Sequence, residues 1–281
     1  MINFNGKILE NEALFLNQKN RGLKYGDALF ETIKVVNSKI FFLEDHYFRL
    51  MASMRILRMK IPENFTMEFI ENQIFKLIEN TNLNNSAVRI RLTVFRHSDG
   101  LYLPITNEVS YIIEAALIDS PFYLFNDQPY EIELFKDHLV NSGLLSTLKS
   151  NNRIINVLGS IYAKENNYDN CLLLNEDKNV IEALNGNVFL VNGNQIITPP
   201  KSDGCINGII RKQLIEIIKK TEDYLFEERS ISPFELQKAD ELFITNVIIG
   251  IQNVTKYRKK TFKKEISKDL LNKLNVQARL V

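Results

Sequence analysis

An α+β fold in two domains is what this sequence of 281 residues predicts. Short alternating apolar runs are separated by Asn-Gly and Asn-Ser pairs, the pattern of antiparallel hairpins. Other blocks repeat their apolar residues at helical spacing instead. Around Ile118-Asp119-Ser120-Pro121 both patterns lapse at a proline, which marks a domain boundary. The expected division is a small domain over 1–118, a connector over 119–125 and a larger domain over 126–281.

Residues 2–16 open as a hairpin turning at Asn5-Gly6, with Ile2, Phe4, Ile8 and Leu9 on its strands. GDALFETIKVV and KIFFL form a second extended pair joined across Asn37-Ser38. Tyr47, Leu50, Met51, Met54 and Leu57 then fall on one helical face, and Met67, Ile70, Ile74, Leu77 and Ile78 on another. In VRIRLTVFR, Val88, Ile90, Leu92 and Val94 alternate as in a half-buried strand, paired through the loop HSDGLYLPITNE to VSYIIEAAL. Beyond the connector, YEIELFK reads as a strand, and Ile154, Val157, Leu158 and Ile161 mark a helix. NCLLLNEDKNVIEAL is a hairpin turning at Glu176-Asp177, and VFLVNGNQIITPP another turning at Asn192-Gly193. A helix over 207–221 is entered through Gly204 and Gly208, ADELFITNVIIGIQNV reads as one strand, and KDLLNKLN as a terminal helix.

Thirty-five Lys and Arg against 34 Asp and Glu give a net charge of +1, so no overall field draws nucleic acid or an anionic membrane, and a small molecule is the expected partner. Cys171 and Cys205 stand apart from each other and from any ligand-like cluster, which predicts reduced thiols in the cytoplasm and no metal. The amino terminus has no basic segment ahead of an apolar core, and no run of about 18 apolar residues occurs, so neither export nor a membrane span is expected.

Lys149 stands just before an apolar-periodic helix, in LSTLKSNNRIINVLGS. A lysine that forms a Schiff base must spend time as the neutral amine, which a desolvated setting favours, and Leu144, Leu145 and Leu148 can supply one. It can equally cap a surface turn. Glu182 interrupts the apolar run VIEAL, so its carboxylate either faces solvent or is held by a buried cation. Arg49 suits a phosphate through its planar guanidinium, or pairs on the surface with Glu44 or Asp45. In DGCINGIIRKQL the amides of Ile209 and Ile210 can donate to an anion at a helix start; the bland alternative is a plain helix entrance.

Taken in series, RGLKYGDALFETIKV, EDHYFRL, LKSNNR, IEALNGNVF, ITPP, NGIIR and ADELFITN resemble the class IV aminotransferase family across nearly the whole chain. These are the fold-type IV pyridoxal-phosphate enzymes, which include branched-chain and D-amino-acid aminotransferases and aminodeoxychorismate lyase. The resemblance implies a small α+β amino-terminal domain, a larger barrel-like carboxy-terminal domain, pyridoxal 5'-phosphate as cofactor, and a homodimer in which the neighbouring chain closes the site. It also implies roles. Lys149 becomes the Schiff-base and proton-transfer lysine, Glu182 the partner of the pyridine nitrogen, and Arg49 a phosphate ligand. Ile209 and Ile210 become the amide cradle, Asn246 a further cofactor contact, and Tyr25, Arg96 and Tyr102 the substrate contacts.

Departures from the family pattern bear on the reaction. Aminotransferases of the family show GITR and a threonine shortly after the ADE strand, whereas Ile210 and Val247 stand here. LKSNNRIINVL, NGIIR and the Asn246 of ITN look more like the lyase, which releases pyruvate and leaves 4-aminobenzoate. RHSDGLYLP keeps Arg96, Gly100, Tyr102 and Pro104 of the substrate-facing RGxGxRGYxP pattern but lacks its second arginine. A relative that binds a metabolite without turnover is the third expectation, and retention of both Lys149 and Glu182 argues against it.

Overall fold

The computed structural model describes residues 1–84 and 86–280. It divides into two compact units, one of Met1–Pro121 with Lys149–Asn152, the other of Phe122–Leu148 with Arg153–Leu280. One short segment therefore departs from the linear division. Lys149–Asn152 belongs to the first unit because its backbone pairs there, Phe30 N–H donating to Lys149 O at 2.8 Å and Asn151 N–H to Ala28 O at 3.0 Å.

The first unit contains β1 (Ile2–Phe4), β2 (Lys7–Leu9), α1 (Arg21–Tyr25), β3 (Ala28–Val36), β4 (Lys39–Ile40), α2 (Leu43–Ile56), α3 (Met67–Asn80), β5 (Ala87–Arg96) and β6 (Val109–Leu117). Its strands form one antiparallel sheet in the order β2-β1-β6-β5-β3-β4. The first hairpin turns on Asn5 and Gly6, both at positive φ, with Phe4 opposite Lys7; it ends at Leu9, short of the expected residue 16. Asn37 and Ser38, also at positive φ, close the second between Val36 and Lys39. Two-residue turns of that hand match the twist of the strands they join.

Pairing across β3 and β5 sorts the sheet into two faces. Leu29, Glu31, Ile33 and Val35 stand opposite Val94, Leu92, Ile90 and Val88. That face packs against Leu50, Met51 and Met54 of α2 and the Ile70, Ile74 and Leu77 of α3 in the unit's core. The opposite face carries Phe30, Thr32 and Lys34 against Thr93, Arg91 and Arg89. Thr66 caps α3, its Oγ1 accepting from Phe69 N–H.

The second unit contains β7 (Glu131–Val140), α4 (Ile154–Glu165), β8 (Asn170–Asn175), β9 (Val180–Ala183), β10 (Gly186–Asn192), β11 (Gln195–Thr198), α5 (Ile209–Lys219), β12 (Leu225–Glu228), β13 (Glu241–Asn246), β14 (Gly250–Asn253), β15 (Lys256–Tyr257), β16 (Lys260–Thr261) and α6 (Glu265–Leu280). At Asn187, β10 pairs with β9 and β13; at Leu190 it pairs with β11 and β13. One edge of β10 is therefore shared by β9 and β11 in succession. The sheet bends there around a core that includes Ile132, Leu172, Val188, Leu190, Ile197, Leu242 and Tyr257.

Three sequence expectations change here. Asn192 pairs with Gln195, so the turn is Gly193-Asn194, with Gly193 supplying the positive φ. The segment 239–254 is two strands, because the chain turns over Val247–Ile249 and reverses at Gly250, φ +78°, where a Cβ would fall 2.6 Å from the Tyr123 ring. Ile154, Val157, Leu158 and Ile161 do lie on a helix, yet α4 packs through Gly159 and Ala163 and leaves those four exposed. A Cβ on Gly159 would sit 2.4 Å from Leu184 Cδ2, so the glycine lets the helix lie close.

Candidate active site

In the first unit the side chain of Lys149 lies over Phe30, its Nζ 4.4 Å from the ring centroid, and the Arg91 guanidinium stands 3.9 Å from the same centroid. Phe30 is on the polar face of the sheet, and the backbone pairing of Lys149–Asn151 to β3 fixes the lysine's root beside it. The segment is also held at Gly26, φ +63°, where a Cβ would fall 2.1 Å from Asn152 Oδ1. On the same face Lys34 is 1% exposed, and burial pulls its amine down to about 8.

Arg49 pairs with a carboxylate outside its own helix. It reaches Glu31 on the facing side of β3, Nε donating to Oε1 at 2.8 Å and Nη2 to Oε2. His46, one turn earlier on α2, meets the same Oε2 through Nδ1 at 2.6 Å. Burial pushes the Glu31 carboxyl up, but the Arg49 charge and the His46 and Arg49 hydrogen bonds outweigh it and hold the group at about 2. Burial draws His46 below its ordinary value against the pull of Glu31.

Arg96 is buried, 6% exposed, and donates to Asp27 Oδ2, Leu57 O, Arg58 O and Asn107 Oδ1. Its guanidinium fastens the loop that follows β5 to the body of the unit. Arg21 works beside it, sharing Asp27 Oδ2 and donating to the carbonyls of Asp99, Leu101 and Tyr102. Tyr102 is 90% exposed at the loop tip, its ring centroid 5.7 Å from that of Tyr25.

In the second unit Glu182 is 5% exposed on β9, so the solvent-face reading falls. Its Oε2 accepts the Ile206 N–H at 2.8 Å, and Arg153 Nη1 stands 4.0 Å from Oε1. Ile209 and Ile210 form the first turn of α5, behind Gly208, with no side chain capping the helix. The first-turn amides of a helix have no partner within it, and with the helix dipole they attract an anion. Gly208 lets the chain pass close to Asn187, since a Cβ would fall 1.9 Å from Asn187 Oδ1 and displace that side chain. Asn246 accepts the amides of Ile248 and Ile249 at its Oδ1. Among the described residues no group of His, Cys, Asp and Glu could hold a metal ion, and no helix is long and apolar enough to cross a membrane.

A family model described as Amino-transferase class IV matches residues 28–257. The chain belongs to the class IV aminotransferase family. A candidate branched-chain-amino-acid aminotransferase of Methanocaldococcus jannaschii is 30% identical over 89% of this chain and 85% of its own. A branched-chain-amino-acid aminotransferase-like protein of Arabidopsis thaliana is also 30% identical, over 82% of this chain, which spans only 41% of that protein. Among solved structures, the branched-chain aminotransferase of Thermoproteus uzoniensis shares the fold, with TM-score 0.87, 21% identity and coverage of 99% of this chain and 94% of that one. A candidate 4-amino-4-deoxychorismate lyase of Legionella pneumophila gives TM-score 0.81 and 27% identity over 95% of this chain and 97% of that one.

Enzymes of this class use pyridoxal phosphate, and the residues present fit that group. An uncapped helix start behind a glycine suits its phosphate, a buried carboxylate suits a ring nitrogen, and a partly buried lysine rooted in a strand pair suits its aldehyde.

Proposed function

We propose that this chain is a pyridoxal-phosphate-dependent lyase that converts aminodeoxychorismate to pyruvate and 4-aminobenzoate, acting in the cytoplasm as a homodimer. The observation that carries the reading is the pair Ile210 and Val247, 1% and 8% exposed, at positions where the family's aminotransferases carry hydroxyls. Likeness to the Legionella pneumophila candidate lyase supports it. Elimination returns the cofactor to its aldehyde form in each cycle. A transaminase instead must hold an untethered amine form between half-reactions, for which lost phosphate contacts, worth about 1.5–3 kcal/mol each when charge-assisted, weigh more.

In this reading Arg49 and the Ile209 and Ile210 amides hold the phosphate, and Glu182 holds a proton on the ring nitrogen. Bound pyridoxal phosphate supplies the electron sink that lets a carbon beside an amine lose its proton. Lys149 would hold the cofactor through its amine and, once displaced by the substrate amine, would serve as the base that takes the proton from the amine-bearing carbon. Aromatisation of the ring breaks the ether C–O bond, and the departing enolpyruvate takes up a proton to become pyruvate.

The second reading, a branched-chain or D-amino-acid aminotransferase, has the Methanocaldococcus jannaschii relative in its favour. Supplying aminodeoxychorismate, and separately a panel of L- and D-amino acids with a keto-acid acceptor, separates the two. Equal amounts of pyruvate and 4-aminobenzoate are expected. Rapid conversion to the pyridoxamine form by an amino acid, with no aromatic product from aminodeoxychorismate, decides for the aminotransferase.

The homodimer rests on α4, whose outer row Ile154, Val157, Leu158 and Ile161 is 36–66% exposed. An apolar row of this kind is costly in water and fits a second copy about a two-fold axis. Val157→Asp with Ile161→Asp is expected to yield monomers by light scattering. A double variant that stays dimeric places the interface elsewhere.

A further inference from the structure

Glu31 and His46 are both 2% exposed. A fully buried carboxylate and imidazole are expensive to keep unless they hold something in place. What they hold is Arg49. Its Nε–Nη2 edge lies side-on against the two Glu31 oxygens. Glu31 has little freedom of its own, because His46 Nδ1 binds the oxygen that also takes Arg49 Nη2.

The imidazole is constrained in turn. Its other nitrogen, Nε2, is buried with no hydrogen-bond partner among the described residues. The ionised Glu31 carboxylate can only accept, so Nδ1 carries the proton between them. Arg49 is at residue i+3 from His46 on α2, so one helix face presents both partners to the same carboxylate.

We propose that the buried Glu31–His46 pair is the positioning device that aims Arg49, and that it lets this chain discriminate phosphorylated from unphosphorylated cofactor. The inference rests on the reading of Arg49 as a phosphate ligand. A guanidinium fixed along one edge meets an anion at its other edge without paying the rotamer entropy of a mobile arginine. Neither Glu31 nor His46 needs to contact the cofactor for this, so their removal should be felt through the phosphate and not through the ring.

The test is binding of pyridoxal phosphate and of pyridoxal to the cofactor-free protein, followed by absorbance, with the ratio of the two affinities as the readout. Glu31→Gln and His46→Leu are each expected to lower that ratio at least tenfold while pyridoxal affinity stays within twofold. His46→Gln, which keeps an N–H donor for Glu31, is expected to restore most of it. A general loss of structure would lower both affinities together, and that result overturns the proposal. It is also overturned if Arg49→Gln collapses the ratio while Glu31→Gln and His46→Leu leave it unchanged, an outcome under which the Arg49 reading survives. A ratio unmoved by Arg49→Gln removes the Arg49 reading and the proposal with it. Should Glu31→Gln fail to fold, because it leaves a buried guanidinium uncompensated, the two His46 variants decide alone.

Discussion

Lys149→Ala is expected to give a folded protein with turnover at least about 10⁴-fold lower, and with no cofactor attached to the chain after borohydride reduction. The two halves of that result have different causes. The fold survives because the segment is held by its backbone, through Phe30 N–H to Lys149 O and Asn151 N–H to Ala28 O. The side chain's contact with the Phe30 ring is worth about 0.5–1 kcal/mol at a partly exposed position, too little for its loss to unfold the unit. The chemistry fails because attachment and proton transfer are assigned to one amine. In the wild type, reduction should fix a phosphopyridoxyl group on the peptide that contains Lys149. A variant whose peptides still carry the reduced adduct would move the attachment to another lysine.

How much of this was legible in the sequence depended on whether the signal was local. Asn5-Gly6 and Asn37-Ser38 are read directly, because positive φ at both turn positions is a property of the two residues themselves. The helix α1 was missed: five residues, RGLKY, show no periodicity, and its start is set by Asn20 Oδ1 accepting from Leu23 N–H. The break between β13 and β14 was hidden in the unbroken apolar run VIIGI, where only Gly250 hints at a reversal.

The site was legible to a similar depth. Lys149, Glu182, Arg49 and the start of α5 announce themselves by type and context, but their partners come from remote parts of the chain. Arg96 was expected at the substrate, and nothing near it predicts that it fastens to Leu57 O and Arg58 O, which lie 39 and 38 residues earlier. Glu31 could have been found. It sits in register with Leu29, Ile33 and Val35 on β3, and an acid on the core face of a strand demands a cation from whatever packs there. His46 and Arg49 on the following helix were the available answer. The exposed row of α4 shows the opposite failure, since periodicity tells which residues share a face and not what covers it.

Glu182→Gln is expected to retain the cofactor and lower turnover by about 10²–10³-fold, the usual cost of removing one preorganised charge aimed at the reacting system. Gln keeps a carbonyl oxygen for the Ile206 N–H, at 2.8 Å in the wild type, and keeps the volume of the side chain on β9. The charge alone is lost. Without it the proton on the cofactor's ring nitrogen is no longer favoured and the electron sink weakens, while Arg49 and the Ile209 and Ile210 amides still hold the phosphate. Glu182→Ala is a poorer test, because it also leaves the Ile206 amide unsatisfied and Arg153 without its carboxylate, at a stability cost of about 1–3 kcal/mol. Cofactor content measured by absorbance beside kcat separates the two effects in the Gln variant. If turnover stays within a few-fold of wild type with full cofactor content, Glu182 is a structural acceptor for the Ile206 amide and the Arg153 charge, and its assignment to the ring nitrogen is wrong.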